Sequence, residues 1–203
     1  MEEFKLGPNG SMIYCMEFLE TNIDWLLGKF RAVTDGTKYF IIDLPGQVEI
    51  YSNHSSLKNI MKKLEKELNM SLSALHLVDC TYLYDKHRFL SALLLSLTAL
   101  VGLEMPFLNV ITKLDLLKTL GRPDMNLSFY SSISGLEYLF FDQDDPSNQT
   151  AFAKKYSNLT KQLCQVIENF NLVGYTLLDI HDKLSMCNVL MQIDKSNGYF
   201  LDP

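Results

Sequence analysis

The sequence has no C-x-x-C pair, no cluster of lysines and arginines, and no apolar run long enough to span a bilayer. Its four cysteines, Cys15, Cys80, Cys164 and Cys187, lie far apart. That spacing excludes a zinc ribbon or a small disulfide scaffold and reads as small hydrophobes in a reducing compartment. The net charge is −6, and the doublets Lys62-Lys63 and Lys154-Lys155 sit among acids. Bulk attraction to nucleic acid or to an anionic membrane is thereby excluded. The longest apolar run, Phe89 to Leu103, holds two serines and a threonine and falls short of the roughly 20 residues a spanning helix needs. It reads instead as a helix buried in an α/β core. The N-terminus carries no basic segment followed by an apolar one, so no secretory leader is expected. Internal repeats and low-complexity tracts are absent as well. The expectation is one soluble, cytoplasmic domain over residues 1–203, without membrane or direct nucleic-acid contact.

What is present is a βαβ rhythm. Leu6-Gly7-Pro8-Asn9-Gly10-Ser11 reads as a tight turn, with Asn9-Gly10 accepting the left-handed region and Ser11 capping a helix that runs to about Phe30. Thr34 to Thr37 is a turn. Tyr39-Phe40-Ile41-Ile42-Asp43 is an apolar run ending in an acid, the pattern of a strand buried on both faces. Leu57 to Leu68 has the spacing of an amphipathic helix. Leu72 to Asp79 is a second apolar run ending in Asp, the helix Arg88–Leu103 follows, and 106–111 makes a third strand. Gln149 to Asn169 reads as a helix, Leu172 to Leu178 as a last strand, and Lys183 to Lys195 as a last helix. Strands alternating with helices imply a parallel sheet with right-handed crossovers. Residues 120–148 break the rhythm. Gly121-Arg122-Pro123-Asp124 precedes Phe129, Tyr130, Leu136, Tyr138, Phe140 and Phe141, so an irregular helical insertion is expected. It is either a lid or partner surface, or a loop whose aromatics pack back on the core.

Polar residues collect where the strands end, the place at which open α/β sheets hold ligands. In Asp43-Leu44-Pro45-Gly46-Gln47, an acid past a strand can hold Mg²⁺, and a following glycine can donate its N–H to a terminal phosphate oxygen. Gln47 can orient a water, and Glu49 is a second acid within reach. The same residues also suit a plain turn. In Thr112-Lys113-Leu114-Asp115, a carboxylate past a strand can accept two N–H groups from a guanine, a pairing adenine cannot offer. The lysine stem can lie along the base while its ammonium stays wet. A salt-bridged helix start is the alternative.

Gly-Pro-Asn after an apolar residue, then D-x-P-G-Q-x-E, then T-K-x-D, resembles the GPN-loop GTPases, with similarity to the eukaryotic members from Leu6 to Phe200. The resemblance implies a P-loop NTPase-like α/β fold, a parallel sheet with helices on both faces, that binds GTP or GDP with Mg²⁺ and hydrolyses GTP. It implies that Gly7, Pro8 and Asn9 form a loop crossing a dimer interface, with Asn9 near the γ-phosphate of the partner's site. Asp43 matches the magnesium-coordinating acid, Gly46 the γ-phosphate sensor, and Gln47 and Glu49 the neighbourhood that positions water. Thr112, Lys113 and Asp115 match the guanine-specificity motif. A homodimer, or a heterodimer with a paralogue, is implied. So is a role in assembly or nuclear import of RNA polymerase II and of polymerase III, through polymerase subunits or assembly factors, in a protein that shuttles from cytoplasm to nucleus.

One departure stands out. No glycine here begins a G-x-x-x-x-G-K-[ST] loop, the backbone cradle for nucleotide phosphates. In the family that loop and the first strand precede the GPN loop, so the resemblance implies a chain missing this first strand and P-loop. Unpaired edges near Ile41 and Leu75 and weakened phosphate recognition are then expected. A non-catalytic partner that offers its GPN loop to another subunit is the alternative role.

Overall fold

The computed structural model describes residues 6–33, 39–123, 125–140, 151–170 and 173–199. Thr34 to Thr37, Asp124, Phe141 to Asn148, Leu172 and Phe200 lie outside the described residues. The chain folds as two compact units, one made of Met1–Leu72 with Thr98–Met105, the other of Ser73–Leu97 with Pro106–Pro203.

In the first unit, α1 (Pro8–Thr21) and α2 (Ile23–Val33) divide what the periodicity reads as one helix. The division falls at Asn22, whose backbone N–H and side-chain amide both donate to the Phe18 carbonyl and close α1. α1 also begins earlier than expected. Gly7 is the N-cap and Pro8 the first helical residue, because proline's fixed φ suits that position and its missing N–H is not needed there. Pro8-Asn9-Gly10 is therefore the opening turn of a helix, with no left-handed residue among them. Ser11 is not the cap; its hydroxyl donates back to the Gly7 carbonyl at 2.8 Å.

The strand expected at Tyr39–Asp43 does not form. The segment is irregular, and Ile41 is 91% exposed. A strand needs a hydrogen-bonded neighbour to hold its shape, and among the described residues none pairs with this one. α3 (Val48–Ser52) follows, anchored by the buried Ile50. α4 (Ser56–Leu68) buries Leu57, Ile60, Met61 and Leu64, the i, i+3, i+4, i+7 stripe that the sequence displays. Asn69 closes it with left-handed backbone.

The second unit holds a three-stranded parallel sheet in the order β1 (Ala74–Asp79), β2 (Phe107–Thr112), β3 (Tyr175–Leu177). β1 and β2 run in register from Ala74 opposite Phe107 to Asp79 opposite Thr112. β2 is central, with Val110 and Ile111 sealed from water. β1 is an edge among the described residues, and its Leu75 and Leu77 are exposed. α5 (Lys86–Leu103) starts where the Asp85 carboxylate accepts the N–H groups of His87 and Arg88. It is the one described helix long and apolar enough to cross a membrane. Its Phe89, Leu90, Ala92 and Leu93 belong to the core of this unit.

Between β2 and β3 come α6 (Leu117–Leu120), α7 (Leu127–Ser132), α8 (Leu136–Phe140) and α9 (Ala151–Phe170). Tyr130, Leu136 and Phe140 of this region join the same core, and Tyr130 meets Phe89 edge-on at 4.9 Å. Tyr138 stays exposed. α10 (Lys183–Ser196) closes the chain, capped by Asp182 through the N–H groups of Leu184 and Ser185. Cys80 and Cys164 are buried as expected of small hydrophobes, whereas Cys15 and Cys187 are exposed.

Candidate functional site

The residues expected to carry chemistry fall into two groups, one in each unit. In the first unit, the opening turn of α1 leaves Asn9 exposed, and its amide Nδ2 donates to Glu49 Oε1 at 3.2 Å. These two residues are forty positions apart. They meet because Asn9 stands at the start of α1 and Glu49 in the first turn of α3. Ile50, only 1% exposed, seats α3 in the unit and so fixes its neighbour Glu49.

Gln47 precedes α3 as its N-cap residue. Its Oε1 is buried and has no hydrogen-bond partner among the described residues. A buried amide oxygen left open is costly unless something donates to it, and a water is the smallest donor that would serve. Gly46 is exposed, and a Cβ placed there would meet nothing within 4 Å. Among the described residues no packing demands glycine at this exposed position.

Asp43 is exposed in the irregular segment before Gly46. Magnesium in nucleotide sites takes one or two carboxylates, with phosphate oxygens and waters completing the shell. Asp43 meets the first of those needs; the other ligands would come from the nucleotide and from solvent.

In the second unit, the C-terminal ends of β1 and β2 are tied side by side. Thr112 Oγ1 donates to the Val78 carbonyl at 3.3 Å. Lys113 adopts left-handed backbone, φ 59° and ψ 36°, which turns the chain sharply off the strand. Its ammonium pairs with Asp79 Oδ2 at 2.7 Å, and the buried Cys80 thiol donates to its carbonyl at 3.1 Å. Asp79 Oδ1 in turn accepts the Thr81 N–H at 2.9 Å, capping the short 3₁₀ turn Cys80–Tyr84.

Burial pulls the Asp79 carboxyl upward, but the Lys113 ammonium and the Thr81 N–H outweigh it and hold it below the ordinary carboxylate range. The same contact raises Lys113. Burial and the Asp79 charge push the Cys80 thiol up, so it is a donor and not a nucleophile. Asp115 follows in the 3₁₀ turn Leu114–Leu116, half-buried, and its carboxylate takes no hydrogen bond from the described residues.

The sequence motifs thus resolve into an Asn9–Glu49 contact with Gly46 and Gln47 beside Glu49 in the chain, and a Thr112–Lys113–Asp115 turn. Of T-K-x-D's two meanings, the salt-bridged start holds for Lys113, and Asp115 is left free of it. Asp79 and Cys80 were not among the expected site residues. The one signal for Asp79 was its position, a carboxylate at the end of an apolar run like Asp43.

The chain matches, over residues 1–199, a family described as conserved hypothetical ATP binding protein. It is 44% identical over 199 residues to the GPN-loop GTPase QQT1 of Arabidopsis thaliana, covering 98% of this chain and 65% of that protein. It is 42% identical over 199 residues to GPN-loop GTPase 2 of Danio rerio, covering 98% of this chain and 62% of the relative. To GPN-loop GTPase 2 of Saccharomyces cerevisiae the identity is 38% over 202 residues, 98% of this chain and 57% of the relative. The chain therefore spans somewhat less than two thirds of the length of these curated relatives.

Proposed function

The chain belongs to the GPN-loop GTPase family, and from that premise we propose that it serves a guanine-nucleotide site and takes part in GTP hydrolysis. The observation that carries the proposal is the turn after β2. Thr112 and Lys113 are held by β1, while the half-buried Asp115 carboxylate takes no hydrogen bond from the described residues. A carboxylate carried on a turn tied to β1 suits the paired N1–H and N2–H donors of guanine.

Hydrolysis at the γ-phosphate is largely a matter of placing a water and stabilising charge. Here Gln47 offers a buried acceptor with no partner among the described residues, Glu49 a carboxylate, and Asn9 an amide already fastened to that carboxylate. Gly46 offers an accessible N–H to a terminal phosphate oxygen. Asp43 would hold magnesium, which when bound neutralises phosphate charge. These 203 residues contain no G-x-x-x-x-G-K-[ST] loop, so the phosphate contacts they offer are Gly46 and Asn9, and base recognition is their stronger part.

A second role is favoured by the exposure of Asn9 on the first turn of α1. In it the chain dimerises, with itself or with a paralogue, and offers Gly7, Pro8 and Asn9 to a partner's site without turning over nucleotide itself. Assembly or nuclear import of RNA polymerases II and III, in a protein moving between cytoplasm and nucleus, is the biological setting proposed for either role.

The test is an equilibrium titration of the purified chain with fluorescent guanine and adenine nucleotides, with and without magnesium. A preference for guanine that is lost in Asp115→Asn supports the proposal. Equal or no binding of the two bases by the unaltered chain refutes the guanine site.

A further inference from the structure

We propose that Asp79 is a positioning residue for base recognition, holding the Lys113 turn in the one conformation that presents Asp115 to a guanine. The inference rests on the guanine reading of that turn and names a residue outside the T-K-x-D motif as part of it.

The turn needs holding. Left-handed backbone is unfavourable for a residue with a Cβ, and Lys113 adopts it. Such conformations persist where the surroundings over-determine them. Here the surroundings are the end of β1. Asp79 faces Thr112 across the parallel ladder, one step from Lys113 in the chain. Its carboxylate is divided between two duties. Oδ1 takes the Thr81 N–H and so fixes the carboxylate to its own strand end. Oδ2 takes the Lys113 ammonium. The neighbouring Cys80 thiol donates to the Lys113 carbonyl from a fully buried position.

Both ends of Lys113, main-chain carbonyl and ammonium, are therefore fastened to consecutive residues, Asp79 at the end of β1 and Cys80 at the start of the turn after it. Two positions on, the Asp115 carboxylate takes no hydrogen bond from the described residues, so its direction is set by the turn that carries it. The lysine side chain, drawn out toward Asp79, is 62% exposed, so its apolar stem is accessible to a planar base.

The exposure of Lys113 limits what the ion pair contributes, since surface pairs are screened and weak. The effect of its loss belongs in the order of the turn and in base affinity, not in global stability. Asp79→Asn keeps the shape and the oxygen that caps Thr81 but removes the charge that holds the ammonium. The expected result is about a fivefold loss of guanine-nucleotide affinity with little change in the adenine value, a size set by discounting a charged hydrogen bond for exposure. Asp79→Glu restores part of it, because the carboxylate returns.

Amide hydrogen exchange of the full chain, read without nucleotide, reports the turn alone. In Asp79→Asn the peptide over residues 107–118 should exchange faster, most at Lys113 to Leu116, with the melting temperature unchanged. Unchanged exchange there overturns the inference, whatever the nucleotide data. Faster exchange with undiminished guanine affinity also overturns it, since the turn would then not need holding. If the unaltered chain binds no guanine nucleotide, the guanine reading fails with the base-recognition half of the inference, and exchange then decides the restraint on the turn by itself.

Discussion

Replacing Ser96 by alanine should cost the fold about 2 kcal/mol, and the reason lies in one buried hydroxyl that serves three partners. Ser96 is sealed from solvent on α5. Its Oγ lies 2.8 Å from the Tyr175 hydroxyl on β3, 3.1 Å from His76 Nδ1 on β1, and 2.9 Å from the Ala92 carbonyl. A serine hydroxyl has one proton and two lone pairs. Only one assignment satisfies all three contacts: Ser96 donates to Ala92, while Tyr175 and a His76 protonated at Nδ1 donate into its lone pairs.

His76, Asn109 and Tyr175 stand opposite one another across the sheet, so the hydroxyl ties a polar row on three strands to the helix above. Alanine takes the acceptor away from both donors. Each loss costs about 1–3 kcal/mol when the group is buried. Tyr175 is buried and its hydroxyl is pushed up to about 12 by that burial, so it stays protonated and keeps needing an acceptor. His76 is only partly buried and can turn to water. Against about 2.5 kcal/mol lost, alanine gains roughly 0.5 kcal/mol in helix propensity. The net of about 2 kcal/mol corresponds to a fall of about 4–8 °C in melting temperature for a chain of this size.

Urea denaturation followed by far-UV circular dichroism reads the difference directly. A loss below about 0.5 kcal/mol would refute the network as drawn, since that is the ordinary scatter of surface substitutions. The pH dependence supplies a second reading. Burial holds the His76 pKa below its usual value, so the folded state binds fewer protons than the unfolded chain. The stability this contributes is present above the unfolded histidine pKa and is lost as pH falls below it. The decline toward acid should be shallower in His76→Gln.

Two further outcomes follow from close contacts and open ones. A Cβ at Gly174 would stand 2.6 Å from the Ser131 carbonyl oxygen, a backbone atom with little room to retreat; Gly174→Ala should destabilise by about 1–3 kcal/mol, checked by the same urea titration. Glu49→Ala removes an exposed hydrogen bond to Asn9 and should leave the urea midpoint unchanged while lowering any GTP turnover measured by phosphate release; equal turnover in the two proteins would remove Glu49 from the water-positioning role.

Much of the fold was legible because its signals are local. The apolar stripe of α4 and the runs that became β1 and β2 lie within a few residues of where periodicity places them. The failures are equally instructive. Tyr39 to Asp43 has the composition of a buried strand, yet a strand is a property of a pair, and no described neighbour pairs with it. At the GPN turn the competing cues were Pro8 and Ser11, and the proline won because a fixed φ at the first helical position outweighs a hydroxyl that can bond elsewhere. The motifs named Asn9, Glu49, Lys113 and Asp115 as site candidates. They could not name the Asn9–Glu49 contact or the Asp79–Lys113 pair, because partners forty and thirty-four residues apart meet only once the chain has folded.

If the turn after β2 reads guanine through the Asp115 carboxylate, titrating the chain and its Asp115→Asn variant with fluorescent guanine and xanthine nucleotides will show it. An asparagine can donate to the 2-oxo group of xanthine but can no longer accept two N–H groups from guanine. The unaltered chain should prefer guanine, and the variant should reverse the preference. Equal affinity of both proteins for both bases would contradict it.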